Sequence, residues 1–269
     1  MPDRKWRYLE TRGGERTPLL AMWTTDWDCG PETNWWYVIK DDAFDIDALK
    51  SKRRYEINRG NKHFETRIID PAEYKEELYE VQIAAFTAYP KKYRPSVDKE
   101  KFVNTIGAWE KYDVFGTFFK ETNELAGYAL LTKPKGNFIG FNVLKLNPDF
   151  EKYSGNAALV YGIVNHYGKF LREGGFICDG SRSINHETHF QDYLEKYFGF
   201  RKAYCRLHIR YNPRIGWLIG LLFPLRRILT VFDGIGIFHS INSVLKMEEI
   251  CRGDISGKRR YTNHRRKSL

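Results

Sequence analysis

The spacing of hydrophobic positions switches repeatedly between a period of two and a period of three to four. Ala203, Cys205, Leu207, Ile209 and Tyr211 alternate with Lys202, Tyr204, Arg206, His208 and Arg210, which predicts a strand with one buried face. Short apolar runs at 64–69, 114–119, 125–131, 138–146 and 176–179 predict further strands. The three from 114 to 146 are joined by short polar turns and predict an antiparallel meander. Between them, helical spacing recurs in Tyr74, Leu78, Val81 and Ala85, in Phe102, Ile106 and Trp109, in Val160, Val164, Tyr167 and Leu171, and in Phe190, Leu194 and Tyr197.

Punctuation refines these elements. Asp70-Pro71-Ala72-Glu73 predicts a helix start, with an acidic cap and proline at the first position. Gly174-Gly175 and Gly199 stand where C-terminal glycines belong. Three aromatic segments at 6–9, 19–23 and 35–39 predict a strand meander. A basic helix follows, capped by Asp45 or Asp47 and ended by Gly60. After Pro213 two helices are expected, the first apolar nearly all round. The boundaries drawn from this pattern are 1–62, 63–213, 214–252 and a basic tail at 253–269 that is expected to be disordered.

Charge changes the picture more than composition does. The 269 residues carry a net charge of +10, concentrated at 50–62 and in the C-terminal stretch, so a polyanionic partner is expected: nucleic acid, anionic lipid or a phosphorylated substrate. Cys29, Cys178, Cys205 and Cys251 have neither metal-site nor redox spacing, and no signal-peptide pattern is visible at the N-terminus. Reduced thiols and a cytoplasmic location are expected, with no metal. The apolar run 215–225 is shorter than the ~20 residues a spanning helix needs and reads as core. Its flank of Arg214, Arg226 and Arg227 keeps peripheral docking on an anionic membrane as the alternative. Gly-x-Ser-x-Gly, Walker, Gly-x-Gly-x-x-Gly and His-Glu-x-x-His motifs are absent.

The element order from 64 to 211 is strand, helix, helix, three strands, helix, strand, helix, strand. This order resembles the GNAT acyltransferase superfamily, and 190–200 is similar to the last helix and Gly-Phe exit of that fold. The segment 51–60, preceding the strand that opens Phe64-Glu65, resembles the basic helix of the Fem-type (FemAB-like) branch, which carries aminoacyl or acyl groups onto cell-wall or polysaccharide precursors. The resemblance implies an α+β fold: a mostly antiparallel central sheet flanked by helices, with the aromatic meander before it and helices after it. It implies transfer of an acyl group, from acyl-CoA or aminoacyl-tRNA, to an amine or hydroxyl of a small-molecule or lipid-linked sugar acceptor. A non-catalytic module binding a polyanion is the remaining reading. Two departures stand out. Of the family's Gln/Arg-x-x-Gly-x-Gly/Ala donor loop, Gly155 and Ala157 alone are kept, and the place of its tyrosine acid falls on Glu195.

Such a reaction needs backbone N–H groups at a helix start for the donor's phosphates, a donor to the reacting carbonyl, and a base. Lys152, Ser154, Gly155 and Asn156 are the candidate phosphate loop, although the same residues would suit an ordinary helix entry. Asp179, Ser181 and Arg182 follow a buried strand, Asp179 to orient a base or bind an amine and Arg182 to grip a carboxylate or phosphate. His186, three residues before His189, is the candidate base. Gln191 is assigned to substrate and Glu195 to the acid's place. In this fold the strands at 138–146 and 176–179 are expected to splay, with the acyl group in the gap.

Overall fold

The computed structural model describes residues 18–89, 94–184, 189–234 and 236–265, with side chains as far as Gly253. The segment at 6–9 and His186 lie outside the described residues. The chain divides into two compact units, one of residues 38–180 and 189–201 and one of residues 1–37, 181–188 and 202–269.

The first of these has a mostly antiparallel sheet flanked by helices. Strands β3 (Phe64–Ile68), β4 (Tyr112–Phe119), β5 (Glu124–Thr132) and β6 (Phe138–Leu146) pair antiparallel in that order, and β7 (Phe176–Ser181) joins β6 in parallel. Both faces of β4 and β5 are buried, which is why they read as near-continuous apolar runs. On one face Val114, Phe118 and Tyr128 pack with Leu78 and Val81 of α2 (Lys75–Thr87) and Ile106 of α3 (Lys99–Ile106). On the other, Phe64, Phe119 and Ala126 pack with Ala158 of α4 (Gly155–His166). A short α5 (Gly168–Arg172) follows, and α6 (His189–Phe198) contributes Leu194 and Phe198 to the interior.

Three local expectations are corrected here. Asp70 accepts from the Ala72 N–H in a turn of its own, and α2 begins only at Lys75. The basic helix α1 (Ser51–His63) is capped by neither Asp45 nor Asp47, and Lys50 stands at its N-cap. Gly60 does not end it. A Cβ there would lie 2.6 Å from the Ser154 carbonyl oxygen and 3.0 Å from the Ala158 nitrogen, so glycine lets α1 approach the start of α4.

Strand β2 (Trp35–Lys40) has its first three residues in the other unit, where β1 (Leu20–Thr25) pairs antiparallel with β8 (Arg201–Tyr211), from Leu20↔Tyr211 to Thr25↔Arg206. Cys205 and Leu207 of β8 are buried with Trp35, Ile250 and Cys251. Beyond β8, α7 (Pro213–Leu222) and α8 (Arg226–Leu229) are joined and extended by 3-10 turns, giving an unbroken helical stretch from Pro213 to Phe232. α9 (Gly236–Arg265) follows. The stretch Pro213–Phe232 is 20 residues, long and apolar enough by length and composition to cross a membrane. The expected burial of its run 215–225 as core is overturned: Ile219 is buried, but Trp217 is 72% exposed and Leu221 56%. An all-round apolar sequence carries no mark of which side finds a partner.

Candidate active site

The site is built by an interrupted ladder. β6 and β7 pair at Phe138↔Phe176, Ile139↔Ile177 and Gly140↔Cys178, and no further, although both strands continue. On its other edge β6 pairs with β5, but the register slips: Leu131 faces Phe141, whereas Leu130 faces Val143. Asn142 is the extra residue of a bulge, and a bulge bends its strand and sharpens the local twist. The bend falls where β6 leaves β7.

The gap holds a cavity of about 430 Å³, lined by Phe141 to Lys145 of β6, Asn156, Asp179 and Phe190. Three sources of chemistry meet there. The first is the edge of β6 turned toward the gap, beyond the last ladder pair with β7. The second is the start of α4. Ser154 sits at its N-cap with φ 65° and makes no side-chain cap, so its hydroxyl satisfies none of the first-turn N–H groups, and the helix dipole lies behind them. The buried Oδ1 of Asn156 has no hydrogen-bond partner. An orphaned acceptor of this kind costs about 1–3 kcal/mol unless something satisfies it.

Asp179 is the third. Burial pushes its carboxyl up to about 7, opposed only in part by the Gln191 amide, whose Nε2 donates to Oδ2 at 3.2 Å. A carboxylate poised near neutrality suits proton abstraction. Its neighbour Cys178 is pushed the other way for a nucleophile, to about 11, first by burial. The Phe190 ring meets Phe141 edge-on at 6.0 Å and gives the cavity an apolar wall. The parting of the parallel pair β6 and β7, with a helix N-terminus beside it, is the arrangement the resemblance implies.

No family model and no curated protein matches the chain. Solved structures do, and those similar to it include L-PGS from Bacillus licheniformis (13% identity, 76% of this chain and 66% of that one, TM-score 0.46). FemX is another (11%, 63% and 59%, TM-score 0.44), as is a GCN5-related N-acetyltransferase from Sphaerobacter thermophilus (14%, 78% and 56%, TM-score 0.40). The chain spans less than two thirds of the length of each. At these values the likenesses concern the path of the chain and say nothing of its substrate.

Of the residues singled out from sequence, Asn156 and Asp179 line one cavity, and Gln191 reaches it through its bond to Asp179. Lys152, Ser154 and Gly155 immediately precede Asn156 and are not among its lining residues. Gly155 has a packing reason of its own, since a Cβ there would lie 2.9 Å from Leu146 Cδ1. Glu195 lies one turn beyond Gln191 on α6 and is not in the lining either. Ser181 and Arg182 belong to the other unit. There the Arg182 guanidinium lies 4.3 Å from the centre of the Trp36 ring, and its Nη1 donates to the Asn34 carbonyl at 2.6 Å. Among the described residues no group of three or more His, Cys, Asp or Glu is placed to hold a metal.

Sequence reasoning missed Phe141, Asn142, Lys145 and Phe190. Phe141 and Phe190 read as ordinary core positions, and nothing in the alternation of β6 announces a bulge. Tyr193 on α6 was missed too: its hydroxyl is buried without a hydrogen-bond partner, and burial, followed by the nearby Glu56, drives its ionisation far above the usual range.

Proposed function

We propose that this chain is an acyltransferase whose activated acyl group enters the wedge between β6 and β7. The observation that carries this reading is the ladder that stops at Gly140↔Cys178 above a cavity containing Asp179. The donor's phosphates sit at the N-terminus of α4, where dipole and N–H groups favour anions, with Asn156 Oδ1 accepting from the donor's amide or hydroxyl groups. The acyl carbonyl lies along the edge of β6 beyond Gly140, and a backbone N–H of that edge polarises it. Asp179, its carboxyl pushed up to about 7 by burial, takes a proton from the acceptor amine or hydroxyl as the acceptor's lone pair attacks the carbonyl carbon. The carbon–sulfur bond of a thioester then breaks, and the departing thiolate is protonated by water. Gln191 holds the carboxylate in place through Oδ2.

Acyl-CoA is the donor we favour, because the cavity is compact and its apolar wall of Phe141 and Phe190 suits a short acyl chain. Thermal melts with acetyl-CoA, longer acyl-CoAs and charged tRNA test the assignment. A donor at a hundred times its Kd stabilises the native state by ~2.7 kcal/mol. Stabilisation by an acyl-CoA supports the reading, and stabilisation by charged tRNA alone moves the donor to the aminoacyl class. If none of these ligands shifts the melt, the transferase reading fails.

A further inference from the structure

We infer that the helical stretch Pro213–Phe232 is a seat for an anionic phospholipid bilayer and lies in the plane of its surface. Trp217, Leu221, Leu225, Ile228 and Phe232 are all exposed, at 46–72%. At 3.6 residues per turn they fall within a sector of about 80° on one helical face. At its end Phe232 packs on Phe238 of α9, with ring centres 5.5 Å apart, but Trp217, Leu221, Leu225 and Ile228 stay exposed, because α9 takes up the opposite face. Ile219 is buried, Arg226 pairs with Glu249 at 3.0 Å, and the Asn242 amide donates to the Leu229 carbonyl at 3.1 Å. The helix is therefore held against α9 with its apolar stripe turned out. A stripe of this size on a soluble surface marks an interaction site.

Charge chooses the occupant. From 213 to 269 the chain has eleven lysines and arginines against four acids, a net charge of +7 out of the +10 of the whole. Three of the four acids are engaged: Asp233 with His239, Glu248 with Arg252, and Glu249 with Arg226. Arg214 and Arg227 are exposed on the stretch itself, and Arg226, Arg227 and Lys246 line a cavity of about 500 Å³ behind it. An apolar stripe edged by arginines fits acyl chains below a layer of phosphates. A second copy of the chain would bring like charges together. A spanning pose would put Arg226 and Arg227 in hydrocarbon and strip the helix from α9.

Vesicle co-sedimentation of the full chain tests this, with phosphatidylcholine alone and with phosphatidylcholine mixed with phosphatidylglycerol. The chain is expected to pellet with the mixed vesicles and to be released by salt. The exposed triple variant Trp217→Ser, Leu221→Ser, Ile228→Ser should melt like the parent and bind at least about ten-fold more weakly. Arg214→Glu with Arg227→Glu should weaken binding by roughly 10- to 100-fold and flatten the salt dependence. The inference is overturned if the parent stays in the supernatant with mixed vesicles, or if the triple variant binds them equally well. It is also overturned if the triple variant instead dissolves a dimer seen by sedimentation velocity, or if the membrane-bound parent resists alkaline carbonate extraction as a spanning protein does.

Discussion

Replacing Asp179 by Asn separates the base from the scaffold. The carboxyl titrates near 7 in the folded chain and near 3.8 when unfolded. Between those values the folded state holds a proton that the unfolded state has released, so stability falls as pH rises through that window and stays low above it. A shift of about three pH units corresponds to roughly 4 kcal/mol, and relaxation of the surroundings about the charged carboxylate cuts this to about 2 kcal/mol. Asn is never charged, keeps the shape, and can still accept from the Gln191 amide. Asp179→Asn should therefore melt about 4–8 °C above the parent at pH 8 and within about a degree of it at pH 4. Differential scanning fluorimetry across that range reads both limbs. Transferase activity, once a donor is found, should move the opposite way and fall by about 10²- to 10⁴-fold. A variant that melts below the parent at pH 8, or at a constant offset at every pH, would refute the claim that the carboxylate is held in a dry site.

Asn156→Ala should leave the ligand-free melt unchanged or slightly raised, since it removes an unsatisfied acceptor, yet abolish most of the stabilisation by acyl-CoA; a preserved ligand shift counts against Asn156 as the acceptor of the donor's amide or hydroxyl groups. Gly60→Ala sets a methyl group against the Ser154 carbonyl and should cost about 1–3 kcal/mol in urea unfolding, with a reduced acyl-CoA response because the start of α4 must move. Tyr193→Phe deletes an unpartnered buried hydroxyl and should raise stability by up to about 1 kcal/mol; a loss of that size would reveal a hidden partner.

Much of the fold was legible because it rests on period. The alternation through Ala203, Cys205 and Leu207 and the apolar runs of β4 and β5 have no competing reading, and each became a strand. Two kinds of feature were not legible. Gly60 looks like a helix terminator in sequence, and only the backbone of α4 beside it reveals close approach as its reason. The run after Pro213 is equally apolar whether buried or bare, so its exposure depends on what the rest of the unit supplies. At the site, Asp179 and Asn156 could be named from loop chemistry, but the wall opposite them is made by β6, whose bulge at Asn142 leaves no trace in composition.

That bulge makes the aperture depend on one residue. Because Phe141 and Val143 already face Leu131 and Leu130 in turn, excising Asn142 would leave every remaining partner across β5 unchanged. A shortened chain is expected to straighten the strand, extend its parallel rungs toward Asp179 and seal the opening, trading chemistry for a flatter and firmer sheet. The protein thus keeps a supernumerary amino acid that lends the strand its curvature.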